Sequence, residues 1–380
     1  MRRPFFYLSS LHPISFLYLT PVNLSYRWNF GSLAFVFSIL QIITGLSLSW
    51  WYIPHVDWAF QSVEFIMREV SNGWLIRYSH ANGASFFFPV IYLHIARSPF
   101  FSSYQSPRLF VWWSGLILFF TMILTAFLGY VLPWGQMSFW AATVITSLAT
   151  VIPVIGDVIL MTIWGGFGIG QQTLTRFYSF HFLLPFSPVF PVAVHLPFLH
   201  INGSSDPVSD KQQGNDKISF HPYYTYKDIV GIFFIFFSFL LPIFFYPNIL
   251  GHPLNYIQAN PGVTPVHIVP EWYFLPFHGI LRAIPSKIFG VVLTMGSLFL
   301  SALLPFLNFV DVKQTTYRPF SKFLFFFFSG NFIMLGWVGA HVLEEPFILL
   351  SRIFCLFYIL FSVLSIATSL LERFVLRSTI

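Results

Sequence analysis

His80 and His94 stand fourteen residues apart in one apolar stretch, and His181 and His195 repeat that interval in another. On an α-helix fourteen residues make almost four turns and rise ~21 Å, so each pair shares one face with its members most of a bilayer apart. Two such helices facing each other would stack two histidine pairs across a membrane. Imidazole buried in lipid is costly and usually functional, and two facing imidazoles are a natural axial ligand set for a haem iron. With both axial positions filled, such a haem has no open site for oxygen or peroxide and transfers electrons only. Arg77, three residues before His80, and Arg97, three after His94, are placed either to pair with haem propionates or simply to snorkel toward the interface. A lone membrane histidine is more often a hydrogen bonder between helices, so the elements carrying these four must decide between the readings.

Those elements belong to a membrane protein. Hydrophobic residues make up 56% of the chain, charged residues 8%, and mean hydropathy is +0.73. The 51 Phe residues read as lipid-facing filler. One cysteine, Cys355, excludes a disulfide framework, a Cys-ligated iron–sulfur cluster and a covalently attached haem, so any haem is held non-covalently. The formal charge of +6 comes from basic residues scattered among loops, which argues against nucleic acid as a partner. No cleavable signal is expected before Arg27, because Pro4, Pro13 and Pro21 interrupt the apolar residues.

Apolar runs predict an all-α integral membrane fold with eight transmembrane helices near 30–51, 75–97, 109–132, 174–197, 229–247, 287–306, 319–340 and 346–368. Eight spans put both termini on one side. That side collects Arg2, Arg3, Arg27, Arg97, Arg108, Lys211, Lys217, Lys227, Lys313, Arg318, Lys322, Arg373 and Arg377, which marks it as the cytoplasmic or matrix face, here the negative side. Residues 133–173 and 248–286 are too long and apolar for simple loops, and short interfacial helices are expected in both. Three parts follow: a four-helix haem bundle over 1–202, a polar negative-side loop over 203–228, and a second four-helix region over 229–380.

Direction strengthens the histidine reading. The second and fourth spans both run from the positive to the negative side, so His80 falls at the depth of His181 and His94 at that of His195. Glycine supplies a separate sign, because a porphyrin edge approaches a helix closely only where side chains are missing. Gly31 and Gly45 in the first span are fourteen apart, as are Gly115 and Gly129 in the third. Both spans run the other way, so Gly45 and Gly129 belong beside the positive-side haem, Gly31 and Gly115 beside the negative-side one.

Gly-Tyr-Val-Leu-Pro-Trp-Gly-Gln-Met-Ser-Phe-Trp from Gly129 to Trp140, Pro270-Glu271-Trp272-Tyr273 and the four histidines together closely resemble mitochondrial cytochrome b, the haem subunit of the cytochrome bc1 complex (respiratory complex III). His221-Pro-Tyr-Tyr-Thr-Tyr-Lys-Asp228 and Asn260-Pro261 strengthen the likeness, which runs from about Asn29 to the eighth span. The photosynthetic relative usually has a fifteen-residue gap in the fourth span and a divided chain, so the gap of fourteen and the continuous eight spans favour the respiratory form.

The resemblance implies two b-type haems, bL on His80 and His181 and bH on His94 and His195. It implies a quinol-oxidising site near bL, where Glu271 takes a proton from quinol and Phe127, Tyr130, Pro270, Trp272 and Tyr273 surround it. It implies a quinone-reducing site near bH, at His200, Ser204, Lys227 and Asp228, with His200 and Asp228 as proton donors. The function implied is a quinol:cytochrome c oxidoreductase working by a proton-translocating Q-cycle on ubiquinol and ubiquinone. The Rieske iron–sulfur protein, cytochrome c1, other complex III subunits and a second copy of the complex would be its partners, in the mitochondrial inner membrane with both termini on the matrix side. Two residues depart from the family pattern. Ala141 follows Phe-Trp where Gly is usual, narrowing the quinol pocket and weakening methoxyacrylate-type inhibitors. His278 replaces a common Tyr and is expected to line the pocket as a polar group. The stretch Val154–Gln172 matches the pattern poorly. Two other readings use the histidines: a dihaem anchor of another quinone-linked dehydrogenase, which has no need of Pro-Glu-Trp-Tyr, and a transporter with a histidine proton relay.

Overall fold

Apolar segments in lipid must close their backbone hydrogen bonds within themselves, and this chain does so with helices. The computed structural model describes residues 18–207, 216–310, 312–313 and 317–378. Within them lie α1 (Phe30–Ser49), α2 (Ala59–Arg68), α3 (Gly73–Phe100), α4 (Leu109–Val131), α5 (Gln136–Ser147), α6 (Gly156–Trp164), α7 (Gln171–Leu183), α8 (Val189–Asn202), α9 (Tyr223–Phe245), α10 (Leu275–Ala283), α11 (Lys287–Leu303), α12 (Pro319–Gly339) and α13 (Phe347–Ser378). Arg2, Arg3, Pro4, Pro13, Asp210 and Lys211 lie outside the described residues.

Among the described residues, seven helices or helix pairs are long and apolar enough to cross a membrane. The remaining expected span is α3, whose 28 residues reach about 42 Å but include Arg77, His80, Asn82, His94 and Arg97. Its polar residues lower its hydropathy and suit it to a bundle interior. The fourth span differs from the single helix expected over 174–197. Pro185 and Pro188 break it into α7 and α8, joined by a 3-10 turn at Leu184–Phe186, because each proline removes a backbone donor. His181 and His195 therefore sit on two helices that continue one another.

In the N-terminal half α1 packs along α3, and α4 packs along α7 and α8. The centre is aromatic: Phe37 of α1 is fully buried and meets Phe87, Phe236 and Phe239. In the C-terminal half α10 wedges between α12 and α13. There a side chain at Gly279 or Gly339 would collide with the Leu335 or Leu275 carbonyl, so these glycines allow close helix contact. Phe233, Phe234, Phe237, Phe245 and Phe323 face outward, as residues against lipid do.

The long connections hold α5 and α6 in 133–173, and two 3-10 turns with α10 in 248–286. Helix α6 lies within the stretch that departs from the family pattern. The two connections are sewn together: Gln136 N donates to Ile257 O at 2.9 Å, Ala259 N to Trp134 O at 3.0 Å, and Ser138 N to Asn255 Oδ1 at 2.9 Å. Two elements were not expected. One is α2, an amphipathic helix between the first two spans. The other is an antiparallel strand pair, β1 (Leu19–Pro21) with β2 (Lys217–Ser219), which ties the segment before α1 to the polar loop.

One ion pair is nearly sealed from solvent. Arg318 Nε meets Glu372 Oε2 at 2.9 Å with both side chains no more than 3% exposed, while Arg318 also donates to Ser102 Oγ at 2.6 Å. It fastens the α3–α4 loop to the start of α12 and the end of α13. Breaking a buried pair leaves one charge unmatched, so Glu372→Gln should destabilise the fold by about 3–5 kcal/mol. A lower thermal midpoint for the detergent-solubilised protein is the expected readout, and an unchanged midpoint would show that the pair holds nothing together.

Candidate functional site

The structure brings the four histidines together as two pairs. His80 of α3 and His181 of α7 have ring centroids 6.2 Å apart, and His94 of α3 and His195 of α8 have theirs 6.4 Å apart. A metal bonded at about 2.0 Å to one nitrogen of each of two imidazoles sets their centroids roughly 6 Å apart. Each gap therefore suits one ion held between two rings.

Each ring lies against a glycine. A Cβ at Gly45 would stand 3.0 Å from His80 Cε1, one at Gly31 3.2 Å from His94 Cε1, and one at Gly115 3.2 Å from His195 Cε1, while one at Gly129 would collide with the His181 ring. The glycines of α1 and α4 are thus notches that admit imidazoles.

The notches also orient three of the rings. Nδ1 of His80 bonds Thr44 Oγ1 at 2.9 Å, Nδ1 of His195 bonds Ser114 Oγ at 2.9 Å, and Nδ1 of His181 bonds Thr125 O at 2.9 Å. A histidine held through Nδ1–H presents Nε2 to a metal, which is how metal-binding imidazoles are usually fixed. Thr44, Ser114 and Thr125 were not recognised from the sequence. The signal was available, since Thr44 and Ser114 each directly precede one of the spaced glycines. Gln41 is a further partner, donating from Nε2 to His80 O at 3.0 Å. Among the described residues, His94 Nδ1 is buried without a hydrogen-bond partner, and so is Arg97 Nε one turn further along α3. A buried guanidinium nitrogen without a partner is what an anionic group beside this pair would satisfy. Arg97 also lies over the Trp28 ring at 5.6 Å.

At the His80–His181 end, Glu271 opens the 3-10 turn Trp272–Phe274, and Arg77, Tyr130, Tyr256 and Tyr273 lie within reach of its charge. Burial pushes its carboxyl up to about 7, and the Arg77 guanidinium holds it from rising further. Tyr273 is buried, stacks on Phe88 at 4.1 Å and accepts a bond from Tyr92 Oη to its carbonyl at 2.6 Å. Trp272 stands more open, edge-on to Tyr273, and Pro270 precedes the glutamate in extended chain. Phe127 meets Phe177 edge-on, the Tyr130 carbonyl accepts from Ser138 Oγ at 2.7 Å, and Ala141 is buried on α5. His278 is turned to α12, its Nδ1 donating to Gly339 O at 3.0 Å. Burial, with Arg282 nearby, lowers its pKa to about 4, so the ring is neutral near pH 7.

At the other end the expected residues form two separate pairs. The His200 ring lies 4.5 Å from that of Tyr18, and Ser204 N donates to Tyr18 Oη at 2.7 Å. Asp228 Oδ1 accepts from Ser32 Oγ at 2.7 Å, while Lys227 Nζ donates to Leu24 O at 2.6 Å and lies over the Tyr26 ring. Among the described residues no hydrogen bond joins the two pairs. Tyr18 precedes every predicted span and was missed for that reason. Among the described residues His200 Nδ1 is buried and without a partner, which leaves it open to a ligand.

Comparison with known proteins agrees along almost the whole chain. Residues 16–203 match the family described as cytochrome b/b6/petB, and residues 258–359 the family described as cytochrome b(C-terminal)/b6/petD. A cytochrome b of Rickettsia conorii is 54% identical over 344 residues, covering 90% of this chain and 86% of that protein. A cytochrome b of Triticum aestivum is 52% identical over 364 residues, covering 95% of this chain and 90% of that one. A solved structure titled hyperthermophilic respiratory Complex III superposes with a TM-score of 0.89 at 34% identity, covering 94% of each chain. With two histidine pairs set in glycine notches and relatives matched nearly end to end, the chain belongs to the cytochrome b family.

Proposed function

We propose that His80 and His181 hold one b-type haem and His94 and His195 a second, and that Glu271 and the His200–Asp228 region serve quinol oxidation and quinone reduction on opposite sides of the membrane. The family assignment makes the chain a multi-pass membrane subunit that carries electrons in the quinol:cytochrome c oxidoreductase reaction of a respiratory complex III. The observation that carries the residue-level reading is the pair of imidazole gaps, 6.2 and 6.4 Å, each flanked by two glycines. A transporter with a histidine proton relay needs no such paired gaps. An anchor of another dehydrogenase needs no Glu271 site.

When bound, the haems supply one-electron couples between the two quinone sites. The chain's own residues do the rest. Gly31, Gly45, Gly115 and Gly129 leave room for the rings, and the bonds to Thr44, Ser114 and Thr125 hold Nε2 in place. Arg97, with Arg77 at the other end, supplies positive charge for the propionates. Glu271 accepts the quinol proton as the substrate O–H breaks and a carboxyl O–H forms, with Tyr130 and Tyr273 shaping the pocket around it. On the other side His200, with Nδ1 unpartnered, and Asp228 donate protons as quinone is reduced, with Ser204 and Lys227 beside them. Placing the two proton reactions on opposite faces turns electron transfer into charge movement. The remaining partners fit this reading: a Rieske iron–sulfur protein taking the other electron of quinol, cytochrome c1 beyond it, further subunits, and a second copy of the complex. Similarity to plant relatives and the excess of Lys and Arg on one face support the mitochondrial inner membrane with both termini in the matrix.

Two experiments test this. In the purified complex, His94→Leu should remove about half of the b-type absorbance in a reduced-minus-oxidised spectrum, and His80→Leu the other half. Absence of b bands from the unmodified complex would sink the haem reading altogether. For the quinol site, a base with a pKa near 7 is protonated below that pH and free to accept above it. Quinol oxidation should therefore rise with pH through about 7 and level off. Glu271→Gln should lower the rate roughly 100-fold and abolish that rise. His278→Tyr should leave the pH profile between 6 and 8 in place, since His278 is neutral throughout. A full rate and an unaltered profile in Glu271→Gln would remove Glu271 from the reaction.

A further inference from the structure

The four notches are not equivalent. At three of them the imidazole is tied, directly or through a hydroxyl, to a carbonyl four or five residues before the glycine. Thr125 O, four before Gly129, takes His181 Nδ1 itself. Ser114 Oγ bonds His195 Nδ1 and donates to Phe110 O at 2.6 Å, five before Gly115, with Val111 O at 3.1 Å. Thr44 Oγ1 bonds His80 Nδ1 and donates to Leu40 O at 2.7 Å, five before Gly45, with Gln41 O at 3.3 Å. The same count from Gly31 arrives at Arg27 and Tyr26, which belong to the 3-10 turn Tyr26–Trp28 and not to α1. The position before Gly31, where Thr44 and Ser114 have their counterparts, is Phe30, which has no acceptor. Among the described residues His94 Nδ1 is accordingly buried and unpartnered, although a Cβ at Gly31 would meet its ring just as at the other notches.

Hydrogen bonding at the remote imidazole nitrogen makes the metal-bound nitrogen a stronger electron donor, which favours ferric over ferrous iron and makes the reduction potential more negative. We propose that Phe30, by withholding an acceptor from His94 Nδ1, is a positioning residue that raises the reduction potential at the His94–His195 pair relative to a fully tied pair. This rests on the haem assignment above. Phe30 has no contact with the metal and acts only through His94. The device is local: it follows from Gly31 lying in the first turn of α1, where no earlier helical carbonyl exists.

The test is a potentiometric titration of the two b-haem bands in the assembled complex, with the bands assigned from the His80→Leu and His94→Leu variants. Phe30→Ser places a hydroxyl where Thr44 and Ser114 have theirs, and Phe30→Ala removes the same ring without adding an acceptor. The expected result is a more negative midpoint for the His94–His195 haem in Phe30→Ser than in Phe30→Ala, with the other midpoint equal in both. Equal midpoints in the two variants, or a parallel shift of both haems, would overturn the proposal. Should neither variant assemble, Phe30→Thr against Phe30→Val poses the same comparison with bulkier side chains. A complex lacking two b haems before any substitution would overturn the haem assignment, a result distinct from either outcome.

Discussion

An imidazole inside a membrane bundle has two nitrogens to satisfy and no water to satisfy them, and the N-terminal half of this protein is arranged around that demand. In three of the four histidines one nitrogen goes to a carbonyl or hydroxyl of the facing helix, which leaves the other open to a metal. The ring must then approach the facing helix more closely than any side chain permits, and glycine is the only residue that allows it. The constraint reaches back into helix choice: α3, with two histidines and two arginines, is too polar to face lipid and has its place only between neighbours. Glycines in the C-terminal half do different work. Gly279 and Gly339 meet backbone carbonyls of neighbouring helices, the usual use of small residues in membrane packing. The same residue type marks a ring notch in one half and a backbone crossing in the other.

The ends of the bundle are built by a second rule, that backbone outside a helix must find partners before it is buried. At the Glu271 end the Pro-Trp-Gly segment and the residues around Asn255 satisfy each other, forming one layer over the helices. At the opposite end the short strand pair and the Arg318–Glu372 knot close the loops. In the first of these layers the polar bonds run alongside apolar burial of Trp134, Phe139 and Ala142. The two layers give the residues proposed for the quinone sites fixed positions, since Glu271 and Tyr273 belong to one layer and Ser204 and Asp228 border the other.

Much of this was legible because membrane helices leave a plain mark in sequence. Twenty apolar residues mean a span, and a fourteen-residue interval nearly equals four helical turns, so the histidines and glycines declared their shared faces. The interval in the fourth span was legible for a partly mistaken reason. Pro185 and Pro188 break the helix between His181 and His195, yet the 3-10 turn keeps the two segments in line and both rings meet partners. What could not be read depends on partners distant in sequence. Glu372 is 54 residues from Arg318, and Ser32 lies 196 from Asp228. No periodicity announces such pairs. The three-residue strands β1 and β2 are too short to show alternation, and α2 is too short and too polar for a span search to find. Tyr18 was missed because reading by spans discards everything before the first one.

Arg77 joins the two kinds of chemistry at the Glu271 end. It sits one turn before His80 on α3, and its charge is what keeps burial from driving the Glu271 carboxyl still higher. Without that cation the carboxyl would stay protonated to higher pH and could not take a proton near neutrality. Without the burial it would ionise at ordinary carboxylate values and hold a proton too weakly to act as a base. The balance near 7 therefore depends on where α3 places Arg77, and the same helix places His80. Rotating α3 to improve one contact would disturb the other. The cation that tunes the proposed quinol base and the first histidine of the proposed electron path share one rigid element, and that sharing ties proton acceptance to electron transfer.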